Sequence, residues 1–171
     1  HFIASKANIS ADDIDLLTNG FEVVHGTNED YVNLINFISE NSLTIAANYE
    51  YVKSQIDIDN FIIYNVIQIY GDNQDWPGNN IKYWKSDGGK WRWILYDTDF
   101  SFSGQWWAWD VNNHYLINTL NFVLSGDQTN WANAPWATLM LRRLIQNTEF
   151  RNKFVNRYAD ELNTRFLASN V

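Results

Sequence analysis

Cysteine is absent from the 171-residue chain, which excludes a disulfide framework, a thiolate nucleophile and a Cys-based zinc site. Proline occurs twice and methionine once, so few positions break helices. Charged residues make up only 19%, against about 25% in an ordinary domain, while apolar residues reach 46%. That balance is the reverse of a disordered chain. No apolar run approaches the roughly 20 residues needed to span a bilayer. Positive charge is scarce: 12 Lys and Arg face 20 Asp and Glu, and the net charge of -8 excludes nucleic acid as a partner. The chain opens at His1 with no charged segment followed by an apolar one, so no signal peptide is visible and a processed or excised chain is expected.

Aromatic residues are abundant, with nine Trp, nine Tyr and ten Phe. A thick aromatic core is the simpler expectation, and a stacking surface for sugars or nucleobases is the other. A chain of this length buries a core unaided, and no repeat, low-complexity tract or linker divides it. One domain over 1–171 is expected.

The first twenty residues carry no clear pattern. Phe21 to Val24 reads as a short strand closed at His25-Gly26. Asn28 is placed to cap a helix to about Glu40, with Tyr31, Leu34, Ile35 and Ile38 on one stripe. A shorter helix is expected over Ala47 to Lys53. Asp57 or Asp59 would cap the next, whose core face holds Ile58, Phe61, Ile62, Val66, Ile67 and Tyr70. Ile63 and Ile69 make it apolar on more than one side, as in a buried central helix. After Gly71 comes the polar loop Asp72-Asn73-Gln74-Asp75-Trp76-Pro77-Gly78-Asn79-Asn80. Ile81 to Lys85 and Lys90 to Tyr96 then flank Asp87-Gly88-Gly89, a hairpin signal. Helices are expected over Tyr115 to Leu124, Pro135 to Gln146 and Thr148 to Phe166, with Pro135 in a first turn. The fold class is mainly α with a small β hairpin (α+β).

A tight hairpin brings the loops at its base together. Asp75, Asn79 and Asn80 enter it and Asp97 and Asp99 leave it, so these groups should converge. Carboxylates with amide oxygens form a hard-oxygen site suited to Mg²⁺ or Ca²⁺. A spare carboxylate beside such a site suits phosphoryl transfer, which needs neutralised phosphates and an aligned hydroxyl. Asp75 precedes Asn80 by five positions, the interval between base and metal-binding Asn in a protein-kinase catalytic loop.

The run Asp57-Ile58-Asp59-Asn60-Phe61, the loop Asn73 to Asn80, and the segment Trp91-Arg92-Trp93-Ile94-Leu95-Tyr96-Asp97-Thr98-Asp99 followed by Gly104 resemble the spore-coat CotH kinase family over about residues 20–160. The resemblance implies an atypical kinase that transfers the ATP γ-phosphate to Ser or Thr of surface or spore-coat-type proteins. It implies an extracellular, cell-surface or spore-coat setting. Asp75 then matches the catalytic Asp, Asn80 a metal-binding Asn and Asp97 the metal-loop Asp, with Asp99 second in the acidic pair. ATP and Mg²⁺ are the implied cofactors. A kinase also covers its nucleotide with a strand-rich lobe bearing a phosphate loop and a Lys–Glu pair. Only twenty-odd residues precede Phe21, with Lys6 their single lysine and no glycine-rich loop. The expectation is a C-terminal-lobe portion of a larger kinase domain, inactive alone.

Plainer readings stand beside these. Asp75 and Asn80 with Pro77 and Gly78 are also turn formers. Asp97 and Asp99 also suit a structural Ca²⁺ site, and the whole chain a non-catalytic carbohydrate-binding or surface module, or a pseudokinase. Asp57 and Asp59 read as a cap, His25 and His114 as unpartnered, and Arg142, Arg143, Arg151 and Arg157 as solvated helix faces. Trp106, Trp107 and Trp109 lie where a kinase has its activation segment. Oligomeric state is not written in the sequence.

Overall fold

The structure, a computed structural model, describes residues 2–102, 116–126, 131–167 and 169–170. Seven helices and four strands are described: α1 Phe2–Ala7, β1 Ile14–Thr18, β2 Glu22–His25, α2 Glu29–Glu40, α3 Ala46–Gln55, α4 Ile58–Tyr70, β3 Lys82–Ser86, β4 Arg92–Ile94, α5 Thr119–Ser125, α6 Pro135–Leu144 and α7 Thr148–Leu162. The expected α+β architecture is present, but the hairpin is half of a larger sheet. All four strands form one antiparallel sheet in the order β2-β1-β3-β4.

Strand β1 is the element that the sequence hides. A register shift between Leu16 and Leu17 breaks the alternation by which a strand is recognised. Its turn is legible in retrospect. Asn19 and Gly20 both take positive φ, +25° and +76°, as an Asn-Gly hairpin turn requires. At the far end of β2 only glycine fits at position 26. Its φ is +72°, and a Cβ there would lie 2.2 Å from Asp15 Oδ1 and 2.6 Å from the Ile14 carbonyl oxygen.

The helices follow their patterns. In α2, Tyr31, Leu34, Ile35 and Ile38 are the buried residues. Asn28 precedes α2 as expected, yet its amide donates to the Phe21 carbonyl rather than capping the helix by its side chain. Asp57 does cap α4, accepting from the Asn60 N–H at 3.0 Å. Helix α4 is central, packing against β4, α5 and α7. Phe61, Ile62, Tyr64, Val66 and Ile69 are buried along it. Ile58, Ile63, Ile67 and Tyr70 are only half-buried. The last three helices start later or stop earlier than their apolar patterns run, at Thr119, Leu144 and Leu162.

The core lies between the inner sheet face and α2 and α4, and the aromatic load fills it. Tyr31 sits 4.2 Å from Tyr83 and 5.1 Å from Trp91, ring centre to ring centre, and Phe61 4.6 Å from Trp93. Trp76, Trp91 and Trp93 are buried, so these three serve packing rather than a stacking surface. Burial also raises the Tyr83 hydroxyl far above its ordinary range, with nearby Tyr31 adding to the effect. That hydroxyl donates to the Gly20 carbonyl and so ties the β1–β2 turn to β3.

Arg143 and Arg142 depart from the solvated role expected of them. Arg143 donates to the carbonyls of Ile38, Ser39 and Asn41 at 3.0, 3.2 and 2.9 Å, closing the C-terminus of α2 from α6. Arg142 likewise turns back on its own helix, to Thr138 and the Pro135 carbonyl. Charged hydrogen bonds of this kind carry about 1.5–3 kcal/mol, and an Arg143→Ala chain should lose stability on that order in urea unfolding. An unchanged midpoint would show that water replaces the three bonds without cost.

Candidate functional site

Two loops meet at one end of the β3–β4 hairpin, and backbone bonds hold them together. The Phe102 N–H donates to the Gly71 carbonyl at 2.7 Å, and the Gln74 N–H to the Phe100 carbonyl at 3.2 Å. A Cβ at position 71 would lie 3.2 Å from Ser101 Oγ and 3.3 Å from Ser101 Cβ. Glycine at the end of α4 thus permits the close approach of the second loop.

The first loop is rigid for reasons visible in its residues. Asn73, buried, donates to Gln68 Oε1 at 2.9 Å, which satisfies two polar groups inside the apolar face of α4. Asn73 Oδ1 accepts the Asp75 N–H at 3.1 Å, an Asx turn that fixes residue 75. Trp76, only 3% exposed, drops beside the chain's interior edge-on to Tyr64. Asp72, also buried, accepts from Thr119 Oγ1 and from Gln74 Nε2.

Asp75 projects from this frame. Its Oδ2 receives Asn79 Nδ2 at 3.0 Å and Asn80 Nδ2 at 2.8 Å. Asn80 takes a positive φ of +54°, which asparagine tolerates better than most residues. Because its Nδ2 goes to Asp75, Oδ1 is the atom it can offer a cation. Asp75 and Asn80 are therefore joined directly, a local bond of the kind expected of turn-forming residues.

On the other side of the hairpin Asp97 also has a positive φ, +53°. Its carboxyl, exposed to solvent, is held above the usual carboxylate range. A hydrogen bond with the Asp99 carboxyl is the first cause, followed by slight desolvation and by the negative charges of Asp99 and Asp75, with Lys82 opposing. The Tyr96 hydroxyl is raised as well, first by burial and then by Asp97 and Asp75, while Thr18 opposes. Asp75, Asp97 and Asp99 are thus electrostatic neighbours, and the two predicted pairs occupy one end of the hairpin. Among the described residues, however, no three His, Cys, Asp or Glu side chains form a ready-made metal cage. The carboxylates of Asp97 and Asp99 and the amide oxygen of Asn80 are hard-oxygen groups of the kind Mg²⁺ takes, since it binds through one or two carboxylates and completes its shell with water and phosphate.

The other candidates fall elsewhere. Asp57 pairs with Arg92 at 3.1 Å and Asp59 with Lys153 at 2.9 Å, consistent with a capping region and not a site. His25 lies exposed in the edge strand β2. Gly104, Trp106, Trp107, Trp109 and His114 lie outside the described residues. Lys82 is the site residue that sequence reasoning misses: its ammonium lies 4.2 Å from the Tyr96 ring centre. Only the strand register, which sets Lys82 opposite Ile94, brings it there. Asn73 had a signal, since it stands two positions before Asp75, the reach of an Asx turn.

A family model described as CotH kinase protein matches residues 6–171. No curated protein and no solved structure matches the chain.

The raised Asp97 carboxyl has a definite sign in stability. A folded-state pKa above the unfolded value means a contribution that is complete below the unfolded pKa and is lost as pH rises through the folded one. Asp97→Asn removes that loss. Its melting temperature relative to the unsubstituted chain should therefore be higher at about pH 7 than at about pH 3, where the Asp97 carboxyl is largely protonated whether the chain is folded or unfolded. An offset that is the same at both pH values would mean that Asp97 is not crowded by Asp99 and Asp75.

Proposed function

The chain belongs to the CotH kinase family, and on that footing we propose that it carries the catalytic loops of an atypical kinase moving the ATP γ-phosphoryl group to a Ser or Thr hydroxyl of a surface or spore-coat-type protein. The observation that carries this reading is a single arrangement. One carboxylate, Asp75, is fixed by two amides beside a carboxylate pair, Asp97 and Asp99, that is short of positive charge.

In this reading Asp75 orients the substrate hydroxyl and accepts its proton as the oxygen–phosphorus bond forms and ADP departs. Asn79 and Asn80 keep Oδ2 turned toward them, so the carboxylate does not swing as the hydroxyl arrives. Asn80 and Asp97 would hold Mg²⁺, with Asp99 supporting the metal site or its loop. The metal supplies neutralisation of the phosphate charge. Crowding of Asp97 and Asp99 favours the reading, because a site with mutually repelling carboxylates gains from an incoming cation. We take the chain as the C-terminal-lobe portion of a larger kinase domain that acts outside the cell, at its surface or on the spore coat.

The test uses the full-length protein with labelled ATP, Mg²⁺ and a generic Ser/Thr protein, beside Asp75→Ala. Loss of a general base costs about 10²–10⁴-fold, and transfer in the substituted protein should fall by that much. Equal transfer by both proteins sinks the assignment of Asp75. No transfer by either leaves the acidic loops as a structural metal site in a binding domain.

A further inference from the structure

Asn19, in the turn between β1 and β2, lies outside the two acidic loops, yet its side chain reaches the site. Its Oδ1 accepts the Ile81 N–H at 3.2 Å, and its backbone N–H donates to the Ile81 carbonyl at 3.1 Å. The neighbouring Thr18 hydroxyl donates to that same carbonyl at 3.1 Å. Asn19 thus extends the β1–β3 pairing one residue past Thr18 and Lys82, with an amide oxygen replacing a backbone acceptor. Its other end does something different. Asn19 Nδ2 donates to Asn79 Oδ1 at 2.9 Å, and Asn79 Nδ2 donates to Asp75 Oδ2 at 3.0 Å.

A carboxamide has a donor end and an acceptor end of nearly equal size. With Asn19 donating to Oδ1, the nitrogen of Asn79 is the end left facing Asp75. We propose that Asn19 is a positioning residue for the phosphoryl-transfer site: through Asn79 it sets the orientation of the Asp75 carboxylate. The proposal rests on the reading of Asp75 as the base. The sheet is what makes it physical. Asn19 is anchored by Ile81 at the start of the hairpin, so the turn of the β1–β2 ribbon transmits its rigidity to Asn79, sixty residues later in the chain.

The separating substitution is Asn19→Asp. It is isosteric and keeps an acceptor for the Ile81 N–H, but it has no donor for Asn79. Two carbonyl-type oxygens then face each other, which drives Asn79 to turn or withdraw. A small misplacement of a catalytic group costs about 10- to 100-fold, and kcat should fall by that range while KM for ATP stays the same. Placed in an Asn79→Ala background, Asn19→Asp should lower kcat no further, because the relay is already cut. Undiminished kcat in Asn19→Asp overturns the proposal, as does an equal further fall in the Asn79→Ala background.

Two more measurements keep the outcomes apart. Asp75→Asn tests the base itself: if it transfers phosphate normally, the functional reading fails and the relay has nothing to position. If Asp75→Asn is inactive and Asn19→Asp is not impaired, only the relay fails. A readout without turnover is the side-chain amide spectrum of the chain. Asn19→Asp should shift the Asn79 Nδ2 proton signals and leave the buried Asn65 amide, bound to the Phe61 carbonyl, in place. Unmoved Asn79 signals would show that the contact does not exist in solution.

Discussion

The edges of the β3–β4 hairpin are held by asparagine side chains acting as strand partners, and the acidic loops depend on that restraint. Asn19 completes the pairing of β3 at Ile81. Asn60, in the first turn of α4, does the same for β4, accepting the Trp93 N–H at 2.5 Å and donating to the Trp93 carbonyl at 3.1 Å. Strand β3 is also paired with β1, whereas β4 is the edge strand, and a short strand with an open edge slips or frays easily, because unpaired backbone groups find water or another chain. A side-chain amide offers one donor and one acceptor at backbone-like spacing, so it satisfies that edge without adding a strand. The hairpin is only five and three residues long in its two strands, yet its register is fixed at both sides.

That register decides the electrostatics of the site. Asp75 and Asn80 lie before β3 and Asp97 and Asp99 after β4, so any slip would separate the acids or turn them to the other face. With the hairpin pinned, Asp99 and Asp75 come close enough to oppose the ionisation of Asp97, and Lys82 offsets only part of it. The repulsion is tolerated because the loops are anchored through other groups, chiefly the Gln68–Asn73 pair and the buried Trp76. Stability is thus supplied by residues that take no part in the proposed chemistry, which leaves the acids free to suit a cation and phosphate.

Much of this was legible in the residues. The stripe of α2, the Asp57 cap of α4, the two strands around Asp87-Gly88-Gly89 and the joining of Asp75 to Asn80 follow from local periodicity and turn chemistry. These depend on contacts a few residues apart, which sequence pattern reports directly. The failures share the opposite cause. Strand β1 is masked by a bulge, Arg143 finds its carbonyls about a hundred positions upstream, and Lys82 reaches the acids only through strand register. A partner that distant leaves no periodic trace.

Composition and spacing set which chemistry is available: oxygen donors and no thiolate, an acidic chain rich in aromatics, and an Asp-to-Asn interval suited to a rigid loop. Tertiary structure alone decided which of the many Asp and Asn residues meet. Asp57 and Asp59 pair with basic side chains while Asp97 feels the negative charges of Asp99 and Asp75, although all five are the same residue. The reason is physical: a carboxylate's role is set by the charges and donors within a few ångströms of it, and those neighbours are assembled by the packing of α4 against a four-stranded sheet.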